Sequence, residues 1–140
     1  MIEYVRNVLG YRDADHQESS PEATQLAVTA LACSLVGQSH TVRFRPGSRL
    51  AEIYGTHEAD EGYFCNYGIA PDFEALLGSS GLTISATDEG AVRAVELPGH
   101  PFFVGTLYIS QVRSTPVEPH PLIAAFLSAA RQTARAPATT

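Results

Sequence analysis

The sequence predicts one mixed α/β domain, and three observations support this prediction. Apolar runs of strand length, residues 26–33 and 102–109, alternate with segments of helical periodicity. A tight-turn signal at residues 88–90 separates two short strand-like segments. The last apolar segment, residues 121–135, has the amphipathic pattern of a helix that covers a sheet.

The first elements follow from hydrophobic spacing. Apolar residues recur at helical spacing over residues 2–9, and Gly10 can end that helix. Residues 11–25 are polar and predict a loop. The apolar run 26–33 is expected to form a buried strand. Alternation over residues 40–44 predicts a further strand, with valine and phenylalanine on one face and arginine on the other.

Two short helices are predicted next, and each has residues that favour its ends. Ser48 is suited to cap the first helix, and Gly55 is suited to stop it. Pro71 suits the first turn of the second helix, which Gly78 is expected to end. Between the two helices, the aromatic-rich segment 62–70 predicts a strand.

The C-terminal part combines a hairpin, a long strand and a closing helix. Residues 82–86 and 92–97 are predicted to pair as the hairpin, and residues 102–109 form the longest predicted strand. The closing helix over residues 121–135 is expected to bury one stripe of side chains: Leu122, Ile123, Phe126, Leu127 and Ala130.

The composition indicates a soluble globular protein and excludes several functions. The 140 residues suit one domain, which we expect at residues 1–135, followed by a flexible tail at 136–140. The net charge of −6 argues against nucleic acid, because phosphate contacts need a basic surface. The absence of lysine excludes Schiff-base chemistry and a P-loop. With two cysteines, no secretion signal and no membrane-length apolar run, we expect a reduced, cytoplasmic protein.

The thiols and imidazoles form no catalytic pattern in the sequence by themselves. Cys33, at the end of a predicted buried strand, is interpreted as a small core side chain. Cys65 lies in a segment expected to line a cleft, so a functional thiol there stays an open alternative. The five histidines lack the spacing of a metal-binding pair, and no metal or other cofactor is expected.

Charged and junction residues have simple interpretations. Segment 56–62 gathers four ionisable side chains: His57, Glu58, Asp60 and Glu61. We interpret this segment as a solvated acidic loop in preference to a carboxylate site. His100 and His120 each precede a proline and are interpreted as junction residues and not as bases. Three arginines either clamp an anionic ligand or lie on an exposed strand face and helix start: Arg43, Arg45 and Arg49.

Two stretches resemble one known family. Residues 2–18, "IEYVRNVLGYRDADHQE", resemble the segment directly after the nucleophile elbow in the glutaminase domain of CTP synthase. Residues 95–130 resemble the end of that domain, where a buried strand, a catalytic His-Pro-Glu, a Ser-Thr-Pro loop and a closing helix follow in order. The resemblance implies a class I glutamine amidotransferase-like, flavodoxin-like three-layer fold, lacking its N-terminal strands and nucleophile elbow. It extends to the stand-alone bacterial proteins related to the CTP synthase C-terminal region.

The same resemblance implies a degenerate catalytic triad. The family uses a Cys-His-Glu triad, in which the imidazole activates the thiol and the glutamate orients the imidazole. The family histidine falls on Ile109 and its glutamate on Gln111, and neither side chain can transfer a proton. The nucleophilic cysteine would precede Met1. Asn66 falls near a family arginine that pairs with the substrate carboxylate, and Tyr67 retains the family tyrosine.

Three functions are compatible with these residues. The first is a protein that binds a small amide or amino-acid-like ligand, or a partner, without efficient glutamine hydrolysis. The second is a thiol-dependent amidotransferase or hydrolase whose cysteine is encoded upstream of Met1, with Cys65 or a histidine assisting. The third is a non-catalytic assembly or regulatory subunit, which forms a homo-oligomer or joins a partner subunit through open sheet edges at residues 26–33 and 102–109. No binding to nucleic acid or to a membrane is expected.

Overall fold

The computed structural model describes residues 1–135, in which four α-helices surround two β-sheets. The helices are α1 (Ile2–Asn7), α2 (Arg49–Tyr54), α3 (Pro71–Gly78) and α4 (Pro121–Arg135). The strands are β1 (Ala14–His16), β2 (Gln25–Ala30), β3 (Ser39–Phe44), β4 (Glu58–Gly62), β5 (Tyr67–Ile69), β6 (Thr83–Asp88), β7 (Ala91–Glu96) and β8 (Val104–Thr106). The tail predicted at 136–140 lies outside the described residues.

The two sheets have different strand directions. The larger sheet is antiparallel, in the order β4-β3-β6-β7-β8. The smaller sheet has the order β1-β2-β5, with β1 parallel to β2 and β5 antiparallel to it. The fold has two hydrophobic cores, one at each sheet, and α3 contacts β6 of the larger sheet as well as joining the smaller core.

The larger core lies between the five-stranded sheet and helices α2 and α4. Leu50 of α2 and Val42 of β3 are completely buried there, and Leu122 of α4 joins them. The smaller core lies between the three-stranded sheet and helices α1 and α3, around Val5 and Phe73. Burying each such side chain contributes about 1.5–3 kcal/mol to the stability of the fold.

The elements with local end signals form as predicted. The Ser48 hydroxyl accepts a hydrogen bond from the Ala51 N–H at 3.1 Å, and Gly55 ends α2 with a φ of 66°. Pro71 begins α3. The β6–β7 hairpin turns through Glu89 and Gly90, whose φ angles of 48° and 87° match a type I′ turn.

The predicted strand over residues 26–33 is wrong at its C-terminal end. Strand β2 stops at Ala30, because its partner β5 pairs only with residues 28–30 in this part of the sheet. The chain then leaves the sheet, and Cys33 is exposed. The interpretation of Cys33 as a core side chain is therefore wrong.

The long strand predicted over residues 102–109 is also shorter in the structure. Strand β8 covers Val104–Thr106, which is the stretch that pairs with β7. Residues 107–109 continue along the sheet without regular pairing, although Leu107 still donates to the Arg93 carbonyl at 2.9 Å. Hydrophobicity alone overestimated the length of the strand.

The apolar stripe predicted for α4 is only partly buried. Leu122 is in the core, whereas Phe126 and Leu127 are 53% and 51% exposed. Phe126 instead lines an apolar groove of about 450 Å³ between the two sheets. The walls of this groove include Val28 and Ile69 of the small sheet and the short strand β8.

Candidate functional site

The candidate site lies where the chain leaves β8 and passes over the end of β4. Ile109 donates a backbone hydrogen bond to the Gly62 carbonyl at 2.9 Å. Residues Ser110–Arg113 then form a short 3-10 helix. A Cβ atom at Gly62 would lie 2.9 Å from a methyl group of Val112, so the two segments approach closely. The end of β4 at Gly62 is therefore a neighbour of residues 109–112.

The Cys65 thiol is half-buried and has local partners. Its Sγ donates to the Tyr67 carbonyl at 3.1 Å and accepts from the Tyr67 N–H at 3.3 Å. These bonds close a small turn at the start of β5. Within the described chain, the hydrogen bonds of this thiol involve no side-chain acid or base. The arrangement holds the backbone and does not by itself activate the sulfur.

The predicted ligand-binding residues Asn66 and Tyr67 are accessible and lie beside an imidazole. Asn66 is exposed, and its carbonyl accepts from the Leu31 N–H at 2.8 Å. The Tyr67 ring packs at a tilt of 55° against the His16 ring, with 4.8 Å between centroids. An exposed amide, a half-buried phenol and an imidazole are each able to hydrogen-bond a small polar ligand. The sequence analysis did not single out His16.

The two predicted triad positions carry no proton-transferring group. Ile109 is half-buried, and its side chain is aliphatic. Gln111 is exposed within the 3-10 helix, and its amide is neutral. General acid–base catalysis needs an ionisable group within hydrogen-bonding reach of the reacting atoms. Neither position provides one.

A histidine–glutamate pair does exist close to this segment, but it lies inside the larger core. Glu61, at the end of β4, is completely buried, and His120, just before α4, is 4% exposed. The His120 Nε2 atom lies 2.9 Å from the Glu61 Oε1 atom. The interpretation of segment 56–62 as a solvated loop is wrong at Glu61, because residues Glu58–Gly62 form β4.

Both ring nitrogens of His120 are engaged within the core. Its Nδ1 accepts a hydrogen bond from the Leu122 N–H at 3.2 Å, so the Nε2 carries a proton and donates to Glu61. An imidazole with both nitrogens engaged and almost no solvent contact cannot serve as a base for a bound ligand. The pair instead ties β4 to the start of α4, and His120 is a junction residue as predicted.

Three tyrosines complete the buried polar layer. The Tyr54 hydroxyl donates to Glu61 Oε1 at 2.6 Å and lies 3.3 Å from the Tyr108 hydroxyl. Burial raises the pKa of Tyr54 and of Tyr108 well above the usual value for a phenol. Burial likewise raises the pKa of Tyr63 to about 12. All three phenols therefore stay neutral in the folded protein at physiological pH.

The remaining residues singled out in the sequence lie apart from one another. Arg43 pairs with Glu58 at 3.5 Å on the exposed face of the large sheet. Arg49 instead donates to the Pro101 carbonyl at 2.9 Å. The His100 Nδ1 accepts from the Phe102 N–H at 3.1 Å, as expected of a junction residue. Across residues 1–135, no three histidine, cysteine or acidic side chains come close enough to hold a metal ion.

Glu61 is the important residue that sequence reasoning missed. It lies in a run of charged residues, which normally indicates a solvated segment. The available signal was the strand alternation of Ala59, Glu61 and Tyr63, which share one face of the chain.

None of the described helices is long and apolar enough to cross a membrane.

The comparisons with known proteins agree with this geometry. No protein-family model matches the chain. CTP synthase of Acidobacterium capsulatum is 36% identical over 94% of this chain, and that of Brucella anthropi is 31% identical over 96%. The chain spans about a quarter of these relatives, 26% and 28% of their lengths. The Trypanosoma brucei CTPS glutaminase domain with bound acivicin superposes with a TM-score of 0.85 at 28% identity, covering 94% of this chain and 55% of that one.

The fold is that of a class I glutamine amidotransferase domain. Its mixed sheets and closing helix match the solved glutaminase domain over nearly the whole of this chain. More particularly, the chain belongs to the CTP synthase glutaminase family and corresponds to the C-terminal glutaminase region of those enzymes. The resemblance seen in the sequence is confirmed.

Proposed function

We propose that this chain is a glutamine amidotransferase-like domain with a degenerate triad. It binds a small amide or amino-acid-like ligand at the surface formed by Asn66 and Tyr67 and does not hydrolyse glutamine efficiently. The observation that carries the proposal is the pair Ile109 and Gln111 at the end of β8, where the family resemblance assigns a histidine and a glutamate.

The buried pair Glu61–His120 supports this proposal because it offers no substitute base. Its imidazole donates to the carboxylate and accepts from the Leu122 N–H, so neither ring nitrogen faces the surface. General acid–base assistance is worth about 10²–10⁴ in rate. Glutamine hydrolysis by this domain should therefore be slower by at least this factor than in a working amidotransferase.

The surface around Asn66 supports the binding part of the proposal. The T. brucei glutaminase domain is described with bound acivicin, so a fold of this kind can hold a small molecule. In this chain, the exposed Asn66 amide can provide polar contacts for such a ligand, and the next residue, Tyr67, has its ring against that of His16.

The test combines an ammonia-release assay with thermal unfolding in L-glutamine or L-glutamate. We expect no ammonia release above background and a ligand-dependent rise in Tm, because a ligand that binds only the folded state stabilises it. The Tm rise should be lost in Asn66→Ala and reduced in Tyr67→Phe, and it should persist in Gln132→Ala, an exposed amide on α4. Rapid ammonia release, or an unchanged Tm with both amino acids, would contradict the proposal.

We propose a second function, association with another copy of the chain, because of the apolar groove. Strand β8 is the last strand in the order of the larger sheet within the described chain, and its residues line the groove of about 450 Å³. Open strand edges beside apolar surface favour pairing with another chain. Sedimentation should show a dimer whose fraction rises with protein concentration, and Phe126→Glu should disrupt it. Val117→Glu is the control: this side chain is 95% exposed and lies outside the groove, so the dimer should stay intact. A monomer at all concentrations would exclude this function.

A further inference from the structure

His40, on β3, has an oxygen atom facing each of its ring nitrogens. Its Nδ1 lies 3.2 Å from the Asp88 Oδ2, and its Nε2 lies 2.7 Å from the Gln38 Oε1. A neutral imidazole has one donor nitrogen and one acceptor nitrogen, whereas the imidazolium has two donors. Only the protonated ring can therefore donate to both oxygens at once.

The orientation of the Gln38 amide is fixed by a second contact. Its Nε2 donates to the Ser34 carbonyl, which leaves the Oε1 as the atom that faces His40. A neutral His40 keeps a proton on only one ring nitrogen. If the proton stays on Nδ1, the Nε2 lone pair faces the Gln38 oxygen and that bond is lost; if it stays on Nε2, the bond to Asp88 is lost instead. Rotating the Gln38 amide would restore one bond but would place its oxygen against the Ser34 carbonyl.

Charged and titratable groups surround His40 on each neighbouring strand. Asp88, on β6, is buried and also lies 3.5 Å from the guanidinium of Arg93 on β7. Glu61 of β4 is the register partner of His40, and the Tyr63 ring meets the imidazole edge-on at 5.7 Å. The same Asp88 carboxylate oxygen therefore faces both the His40 ring and the Arg93 guanidinium.

The segment linked to His40 packs on the candidate site. Within residues 31–38, the Leu35 N–H donates to the Cys65 carbonyl at 3.1 Å, and the Gly37 N–H donates to the Tyr63 carbonyl at 3.0 Å. The Tyr63 N–H returns a bond to the Gln38 carbonyl at 2.9 Å. The loop that carries Gln38 is therefore hydrogen-bonded to the segment that carries Cys65.

We infer that His40 is a pH-sensitive latch, which orders the loop of residues 31–38 against the Tyr63–Cys65 segment when the imidazole is protonated and loosens this loop when it is neutral. The inference concerns the loop itself and does not depend on which ligand the neighbouring site binds. Losing one hydrogen bond of ordinary strength should lower the protection of the loop amides about 2- to 10-fold.

The test is NMR hydrogen exchange on the full chain across the titration of the His40 ring, which its own ring signals report. The Leu35 and Gly37 amides should lose about 2- to 10-fold protection relative to the Ala70 amide, which bonds the Ala27 carbonyl at 3.0 Å in the other sheet. In His40→Gln this relative loss should disappear, since the glutamine does not titrate. His57→Gln, at an exposed histidine, should behave as the unsubstituted chain.

Gln38→Leu tests the same link without altering the Asp88 contact, and Gln38 is exposed, so the fold should tolerate the change. We expect low loop protection at every pH in this variant, with no further fall as His40 titrates. Constant protection of Leu35 and Gly37 through the titration in the unsubstituted chain would overturn the inference. So would an undiminished pH-dependent fall in either His40→Gln or Gln38→Leu.

Discussion

Replacing Glu61 by alanine tests how strongly the buried carboxylate holds the larger core together. The substitution removes the oxygen that the buried His120 Nε2 and the partly buried Tyr54 hydroxyl now contact at 2.9 and 2.6 Å. Each orphaned buried donor costs about 1–3 kcal/mol, and the lost side chain also leaves a cavity. We expect the free energy of unfolding to fall by about 3–5 kcal/mol, a large share of the stability of a typical domain.

The assay is urea unfolding followed by circular dichroism, because the chain has no tryptophan to report by fluorescence. Glu58→Ala is the matched control, since Glu58 lies on the same strand and pairs with Arg43 on the exposed face at 3.5 Å. That exposed pair should contribute about 0–1 kcal/mol. Glu61→Gln should have an intermediate effect, because an amide oxygen at the position of Oε1 can still accept both bonds but carries no charge. Equal losses in Glu61→Ala and Glu58→Ala would refute the role assigned to the buried pair.

Two further predictions concern a phenol and two glycines. Because burial raises the pKa of Tyr63 to about 12 while an unfolded tyrosine titrates near about 10, this phenol stabilises the fold below pH 10. That contribution should be lost as the pH rises from about 10 to 12. Part of the tyrosinate absorbance of the folded protein should therefore develop at a higher pH than that of a tyrosine peptide. If both developed at the same pH, the burial argument would be contradicted. Gly68→Ala should destabilise by about 1–3 kcal/mol, since its Cβ would lie 2.7 Å from a Leu31 methyl group. A Cβ added at Gly78 in α3 would have no neighbour within 4 Å, so Gly78→Ala should stabilise the fold by about 0.5–1 kcal/mol. Chemical denaturation measures both alanine variants, and a Gly68→Ala chain more stable than the Gly78→Ala chain would reject this reasoning.

Elements whose ends depend on local chemistry could be predicted from the sequence. A hydroxyl at Ser48 satisfies a backbone donor within its own helix, and Gly55 adopts a left-handed conformation at little cost. The turn at Glu89 and Gly90 likewise depends on neighbouring residues only. These signals act over a few positions, so they are visible without knowledge of the tertiary structure.

The extent of the long strands and the buried charge could not be predicted in this way. Strand β8 is short because β7 pairs with only part of the apolar run, and pairing is a tertiary property. Glu61 looks solvated in the sequence, since its partner His120 comes from an element 59 positions further along the chain. The family resemblance identified Ile109 and Gln111, whereas the contacts of His40 with Gln38 and Asp88 became apparent only in the structure.

The bond between Glu61 and His120 also has a consequence for the order in which the protein folds during synthesis. Strand β4 leaves the ribosome well before the residues that begin α4, so the Glu61 carboxylate can meet the Tyr54 hydroxyl early but must wait for the His120 imidazole. A desolvated charge without its partner is strongly unfavourable, and the nascent sheet therefore stays open and hydrated at this end. Closure of the larger core is thus delayed until the residues that begin α4 have been synthesised.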